Sequence, residues 1–174
     1  MSTENKCGLQ KFGDWLFHKP KMVWLWTIVR VYVGYQWLMA GFEKITNPIW
    51  NKSGILNGFI NTAISKASGQ HADVQSWYAW FLQTVILPHP VFWSHVISYG
   101  ELLVGIGLIL GLFTILASFF GWFMNLNYLL AGAVSINPIL LVLTTGILCA
   151  GSLSEKIGLD KWVKPVVVKA LSKK

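Results

Sequence analysis

Apolar residues gather into four runs along the chain, at about 23 to 42, 92 to 112, 114 to 134 and 136 to 153. Each is close to the roughly 20 residues an α-helix needs to cross a bilayer. The pattern predicts an all-α membrane protein, a four-transmembrane-helix bundle in which residues 1–174 form a single integral membrane domain. Punctuation between the second and third runs is sparse. The stretch GLFTILASFFGWF holds no charge, and only Gly111 and Ser118 offer a turn. Asn137–Pro138 separates the third and fourth runs, because the residue before a proline is biased away from helix. The first run is longer than a signal peptide's apolar region and carries Arg30, so it reads as a retained helix.

Between the first and second runs lies the long segment 45–91. Its composition is not that of a linker. GILNGFINTAIS has an apolar face of Ile55, Phe59 and Ala63, and VQSWYAWFLQTVIL is aromatic and amphipathic. Two short amphipathic helices are expected there, lying on the outer interface or dipping into it. Trp77, Tyr78, Trp80 and Phe81 suit a belt at headgroup level. Pro88 and Pro90 then start the second crossing.

Composition supports the membrane reading. Hydrophobic residues make up 54%, charged residues 12%, and mean hydropathy is +0.53. A soluble domain carries about 25% charged residues, so this chain has too few to cover a water-facing surface. The net charge is +7, but the lysines do not form a nucleic-acid patch. Lys6, Lys11, Lys19 and Lys21 precede the first run, and Lys156, Lys161, Lys164, Lys169, Lys173 and Lys174 follow the last. That is the positive-inside pattern. It predicts a multi-pass protein of the cytoplasmic membrane with cytoplasmic tails 1–21 and 154–174 and an outer loop at 45–91, its partner the anionic lipid surface and not nucleic acid. Of the two cysteines, Cys7 and Cys149, neither belongs to a CxxC pair, and Cys149 reads as a buried, inert thiol.

The candidate chemistry sits inside the runs. Arg30, Gly34, Trp37, Gly41 and Lys44 recur at helical spacing and share one face of the first helix. Its two glycines let another backbone approach. Ser94, Ser98, Glu101 and Gly105 form the matching face of the second helix. The third contributes Gly121, Asn125, Tyr128, Gly132 and Ser135, and the fourth Thr144, Thr145 and Asn137. Counted from the outer ends of their runs, Arg30 lies roughly 18 Å deep and Glu101 roughly 15 Å deep. An Arg30–Glu101 pair across antiparallel neighbours is therefore expected, since a lone charge at a helix centre costs at least about 2.5–3.5 kcal/mol. Such a pair suits a polar functional pocket, and it equally suits structural glue between helices. His89 and His95 sit near the outer end of the second helix and could bond a quinone carbonyl together with Glu101. A haem held by two histidines needs them inside facing helices, whereas His89 and His95 lie near the outer end of one helix and His71 in the loop; His95 and Glu101, six residues apart, point in different directions. No metal spacing or prosthetic-group fingerprint is evident.

The stretches RVYVGYQWLMAGFEK, ILPHP and SYGELLVGIGLILGLFT, in that order, resemble the DoxX/DoxD family of four-helix membrane proteins over roughly residues 23 to 153. One branch of that family is similar to the membrane subunit of thiosulfate:quinone oxidoreductase, which oxidises thiosulfate to tetrathionate and reduces membrane quinone. The resemblance implies a quinone-linked oxidoreductase subunit with quinone as electron acceptor, and a partner membrane subunit or a homo-oligomer. Carried over by position, it points to Arg30, Lys44 and Glu101. In this reading Arg30 and Lys44 make a positive pocket for the dianion, and Glu101 handles the proton of quinone reduction. Trp37, His95, Asn125 and Tyr128 extend the substrate site by proximity. The rival readings are a non-catalytic accessory subunit packed against a respiratory complex, and a small-anion transporter using the same basic seam.

Overall fold

Two long helices, α2 (Val23–Thr46) and α6 (Pro90–Leu110), set the architecture. They run antiparallel at very close range. A Cβ on Gly41 would lie 2.5 Å from the Leu102 amide nitrogen, and one on Gly105 would clash with the Leu38 backbone. Only glycine permits this approach. The computed structural model describes residues 8–68 and 72–171; Lys6, Cys7, His71, Lys173 and Lys174 fall outside the described residues.

Two further helices complete the bundle, α7 (Thr114–Leu130) and α8 (Asn137–Ala150). α7 packs on both α6 and α8, and α8 closes back on α2. The core between them contains Trp26, Val33, Trp37, Val104, Leu108 and Ile147. The α6–α7 turn is tight, with Gly111 and Phe113 both in the left-handed region. α7 ends at Leu130, short of the expected 134, because Gly132 (φ 74°) turns the chain.

At one end of the bundle the 45–91 segment folds as a cap. It comprises α3 (Pro48–Asn51), α4 (Gly54–Ser65) and α5 (Ser76–Phe81), with one π-helical turn, Leu82–Ile86, continuing α5. Asn47 caps α3 by accepting from the amides of Ile49 and Trp50. The two expected amphipathic helices are α4 and α5. The buried face of α4 is rotated toward Leu56 and Ile60, which are buried: of the expected face, Ala63 is buried, Phe59 is half-buried and Ile55 is exposed. Trp77 and Trp80 are exposed as a belt requires, but Tyr78 turns inward. Its hydroxyl donates to Asn127 at 3.0 Å. Burial pushes that hydroxyl up to about 12, so it stays a donor at neutral pH.

At the opposite end lie α1 (Gly8–His18), α9 (Ser152–Glu155) and α10 (Asp160–Leu171). The indole N–H of Trp26 donates to the Leu16 carbonyl and ties α1 to the bundle.

Polarity across the bundle is the reverse of that in a soluble protein. Trp24, Ile28, Leu103 and Val142 are 66–70% exposed, whereas Arg30, Ser98, Glu101, Asn125 and Thr144 are 2% exposed or less. Among the described residues α6 is the one helix both long and apolar enough to cross a membrane by itself; α7 and α8 are apolar but shorter. At 17 and 14 residues, they reach about 26 and 21 Å. Cys149, expected to be buried, is exposed near the end of α8. It lies on the apolar outer surface beyond the packed stripe of Leu140, Thr144 and Ile147.

Candidate functional site

Glu101 is fully buried at the middle of α6, and its partner is Lys44. The Lys44 ammonium donates to Glu101 Oε2 at 2.6 Å and to Oε1 at 2.7 Å. Tyr128 of α7 donates its hydroxyl to Oε1 at 2.5 Å. Three elements thus converge on one carboxylate. The Lys44 side chain is 22% exposed and the Glu101 side chain 1%, so the cation sits at the mouth and the anion on the floor. Aromatic rings hold the cation in place: Lys44 Nζ lies 5.2 Å from the Trp50 ring centre and 5.5 Å from that of Tyr128. A desolvated ammonium over such faces gains about 2 kcal/mol. Trp37 stacks on Tyr128 at 6.4 Å, and Phe59 meets it edge-on at 6.2 Å.

The expected Arg30–Glu101 pair does not form. The close contacts of Gly41 with Leu102 and of Leu38 with Gly105 fix the register. Glu101 is then level with the Gly41–Phe42 turn of α2, and Arg30 lies three turns away, roughly 18 Å along the helix. Arg30 and Glu101 would share a depth only if the outer ends of α2 and α6 were level. They are staggered instead. The first two turns of α6 project beyond the end of α2 and pack under the cap, where Trp50 donates to the Ser94 carbonyl. That stagger raises Glu101 to the level of Lys44.

Arg30 has its own site at the other end. Its guanidinium donates to Thr114 Oγ1 at 3.3 Å, to the Ser154 carbonyl at 3.1 Å and to the Ile157 carbonyl at 2.6 Å. It packs directly on Gly111 and Gly158. Asp160 lies beside it, accepting from the amides of Phe113 and Thr114 at 2.7 and 2.9 Å and so capping α7. The guanidinium thus meets two backbone carbonyls, Ser154 within the four-residue α9 and Ile157 in the bend after it. Arg30 therefore fastens the segment after α8 to the α6–α7 turn. It does not join Lys44 in one positive pocket.

A cavity of about 360 Å³ opens beside the Lys44–Glu101–Tyr128 group, lined also by Trp37, Gln36, Glu43 and Asn137. A second, apolar groove of about 780 Å³ runs between the cap and the α6–α7 face. The two spaces share Phe59 and Tyr128. Of the site residues expected from sequence, Glu101, Lys44, Trp37 and Tyr128 come together. Asn125 lies one turn from Tyr128, fully buried and outside the cavity lining. His95 is half-buried on another face of α6, stacked on Tyr99 at 6.1 Å, and does not reach the cavity. The residues that sequence reasoning missed are Thr114 and Asp160. Asp160 carried a weak signal, as an acid beside Gly158 and directly after the last apolar run.

A family model described as DoxX matches residues 25–132, more than half of the chain. The protein belongs to the DoxX family. The matched span includes α2 from its third residue, α6 and α7, and hence Lys44, Glu101 and Tyr128, whereas Ser154, Ile157 and Asp160 lie beyond it. The DoxX family is membrane-associated, which agrees with the outward-facing apolar surface and with α6 as a candidate span. The chain matches no curated protein and no solved structure.

Proposed function

We propose that the protein is a membrane-embedded, quinone-linked oxidoreductase subunit that holds the head of a membrane quinone at Lys44, Glu101 and Tyr128. The observation that carries this reading is that the two spaces are neighbours, with Tyr128 and Phe59 lining both. An amphiphile with a small polar head and a long apolar tail suits that adjacency, its head toward the buried carboxylate and its tail passing Tyr128 and Phe59 into the apolar groove. Ligand sites of this kind are mostly apolar with a few convergent polar groups. In this reading α2, α6, α7 and α8 all cross the bilayer, α7 and α8 with their ends at the interface, and the lysine-rich end faces the cytoplasm.

The chemistry follows from the donors available. Lys44 has three N–H donors, two of which point at Glu101, and the third is free to polarise a quinone carbonyl at the cavity mouth. Of the two carboxylates lining the cavity, Glu43 is exposed and Glu101 is the buried one beside Lys44, and it is Glu101 that passes protons to the reducing oxygens. Reduction of a quinone to the quinol consumes two electrons and two protons. The electrons enter from a reductant held by a partner membrane subunit, and the protons by way of Glu101. A dianion pocket built from Arg30 and Lys44 has no support, because the two cations serve opposite ends of the bundle. The reductant is therefore left to the partner and thiosulfate is not assigned.

A short-chain benzoquinone titrated into the purified protein in lipid nanodiscs tests this. Saturable binding is expected, weakened about tenfold, or 1.4 kcal/mol, in Glu101→Gln and in Tyr128→Phe. Binding that is absent in the wild type, or unchanged in both folded variants, removes the quinone site and leaves the pair as helix glue.

A further inference from the structure

Thr114, Ser118, Gly121, Asn125 and Tyr128 recur along α7 at steps of four, three, four and three. They form one stripe of the helix, about 21 Å long. Both ends of the stripe are engaged. Thr114 accepts from Arg30, and Tyr128 donates to Glu101. Its middle is not. Ser118 Oγ, Asn125 Oδ1 and Asn125 Nδ2 have no hydrogen-bond partner, and neither has the indole nitrogen of Trp37 on the facing helix. These residues are 0%, 0% and 2% exposed. A Cβ on Gly121 would lie 3.1 Å from Trp37 Nε1, so the indole nitrogen packs against α7 at the glycine, between Ser118 and Asn125 on the stripe.

Unpartnered polar atoms in a buried seam are costly, and native folds rarely tolerate several together. The ligand that satisfies them must both donate and accept, must be small, and must be uncharged, since no ionised group lies between Arg30 and Glu101 on this stripe. Water meets all three conditions, and a buried water needs two to four polar partners. Trp37 also lines the cavity beside Glu101, which gives water an entry.

We propose that the α2–α7 seam at Trp37, Asn125 and Ser118 is a binding site for a short chain of internal waters continuous with the Glu101 cavity. Arg30 closes its far end, and a fixed cation there opposes passage of protons. The chain thus opens toward Glu101 alone, and a proton that Glu101 gives up is replaced from the Lys44 side. That use rests on the quinone reading, whereas the hydration does not.

The test is hydrogen exchange at indole N–H groups, measured by ¹⁵N-tryptophan NMR on the protein without quinone, with Trp37 assigned from Trp37→Phe. Trp50 is the internal control. It is 6% exposed against 2% for Trp37, and its N–H donates to Ser94 at 3.0 Å. A hydrated seam makes the Trp37 N–H exchange at least about tenfold faster than that of Trp50 despite deeper burial, with magnetisation transfer from water. Asn125→Leu, or Ser118→Ala if that variant folds poorly, slows Trp37 toward the control. A Trp37 N–H that exchanges as slowly as Trp50 in the wild type, with no transfer from water, overturns the proposal. Because no quinone is present, that result leaves the quinone site to its own titration.

Discussion

The chemistry of this protein turns on which cation a single carboxylate meets. Glu101 is enclosed by Lys44 and Tyr128, and removing one partner of a buried pair costs about 3–5 kcal/mol because the other charge is left unsolvated. Lys44→Met is therefore expected to lower stability by that amount in detergent unfolding. The double variant Lys44→Met/Glu101→Leu should recover most of it, since an apolar pair of similar volume is often neutral or better. A single variant as stable as the wild type would mean that the pair is not desolvated. Much of this site was legible in the sequence. The spacing put Arg30, Trp37 and Lys44 on one face and Glu101 on a facing one. What spacing does not carry is the stagger between helices, and the stagger decided for Lys44.

Among the elements, the α2–α6 seam is the tightest. Gly41 and Gly105 each stand where a side chain would meet the backbone of the partner helix. Gly41→Val should force the helices apart and cost a few kcal/mol, as overpacking does. It should also loosen the Lys44–Glu101 contact one turn away, so a thermal melt and the quinone titration should deteriorate together. The Arg30 clamp makes a different prediction. It holds carbonyls of the segment after α8 and neighbours Asp160. Arg30→Met is expected to expose residues 152–160 to limited proteolysis while the cap and α2–α6 core stay resistant. Uniform cleavage through the bundle would show that the clamp is integral to folding. The runs predicted the four long helices, but not α3, α9 or the rotation of α4. Short helices are set by capping and by the surface they pack on, as Asn47 and Trp50 illustrate, and periodicity over one turn carries little of that.

The whole molecule has two polar poles inside an apolar exterior. The cap end holds the Lys44–Glu101 cavity, and the other holds Arg30, the amphipathic α1 and α10, and the greater share of the lysines. Orientation is tested with single cysteines at Lys52 and Lys161, both exposed, in a Cys7→Ser/Cys149→Ser background. An impermeant maleimide should label position 52 in intact cells and position 161 only after permeabilisation. Labelling of both from the same side would contradict four crossings. The separation of the two poles underlies everything else, and a pair of double-mutant cycles on unfolding stability measures it directly. Lys44 and Glu101 should couple by more than about 1 kcal/mol, whereas Arg30 and Glu101 should be additive within about 0.5 kcal/mol, as groups without shared partners are. Strong coupling of Glu101 to Arg30, with additivity toward Lys44, would contradict the account.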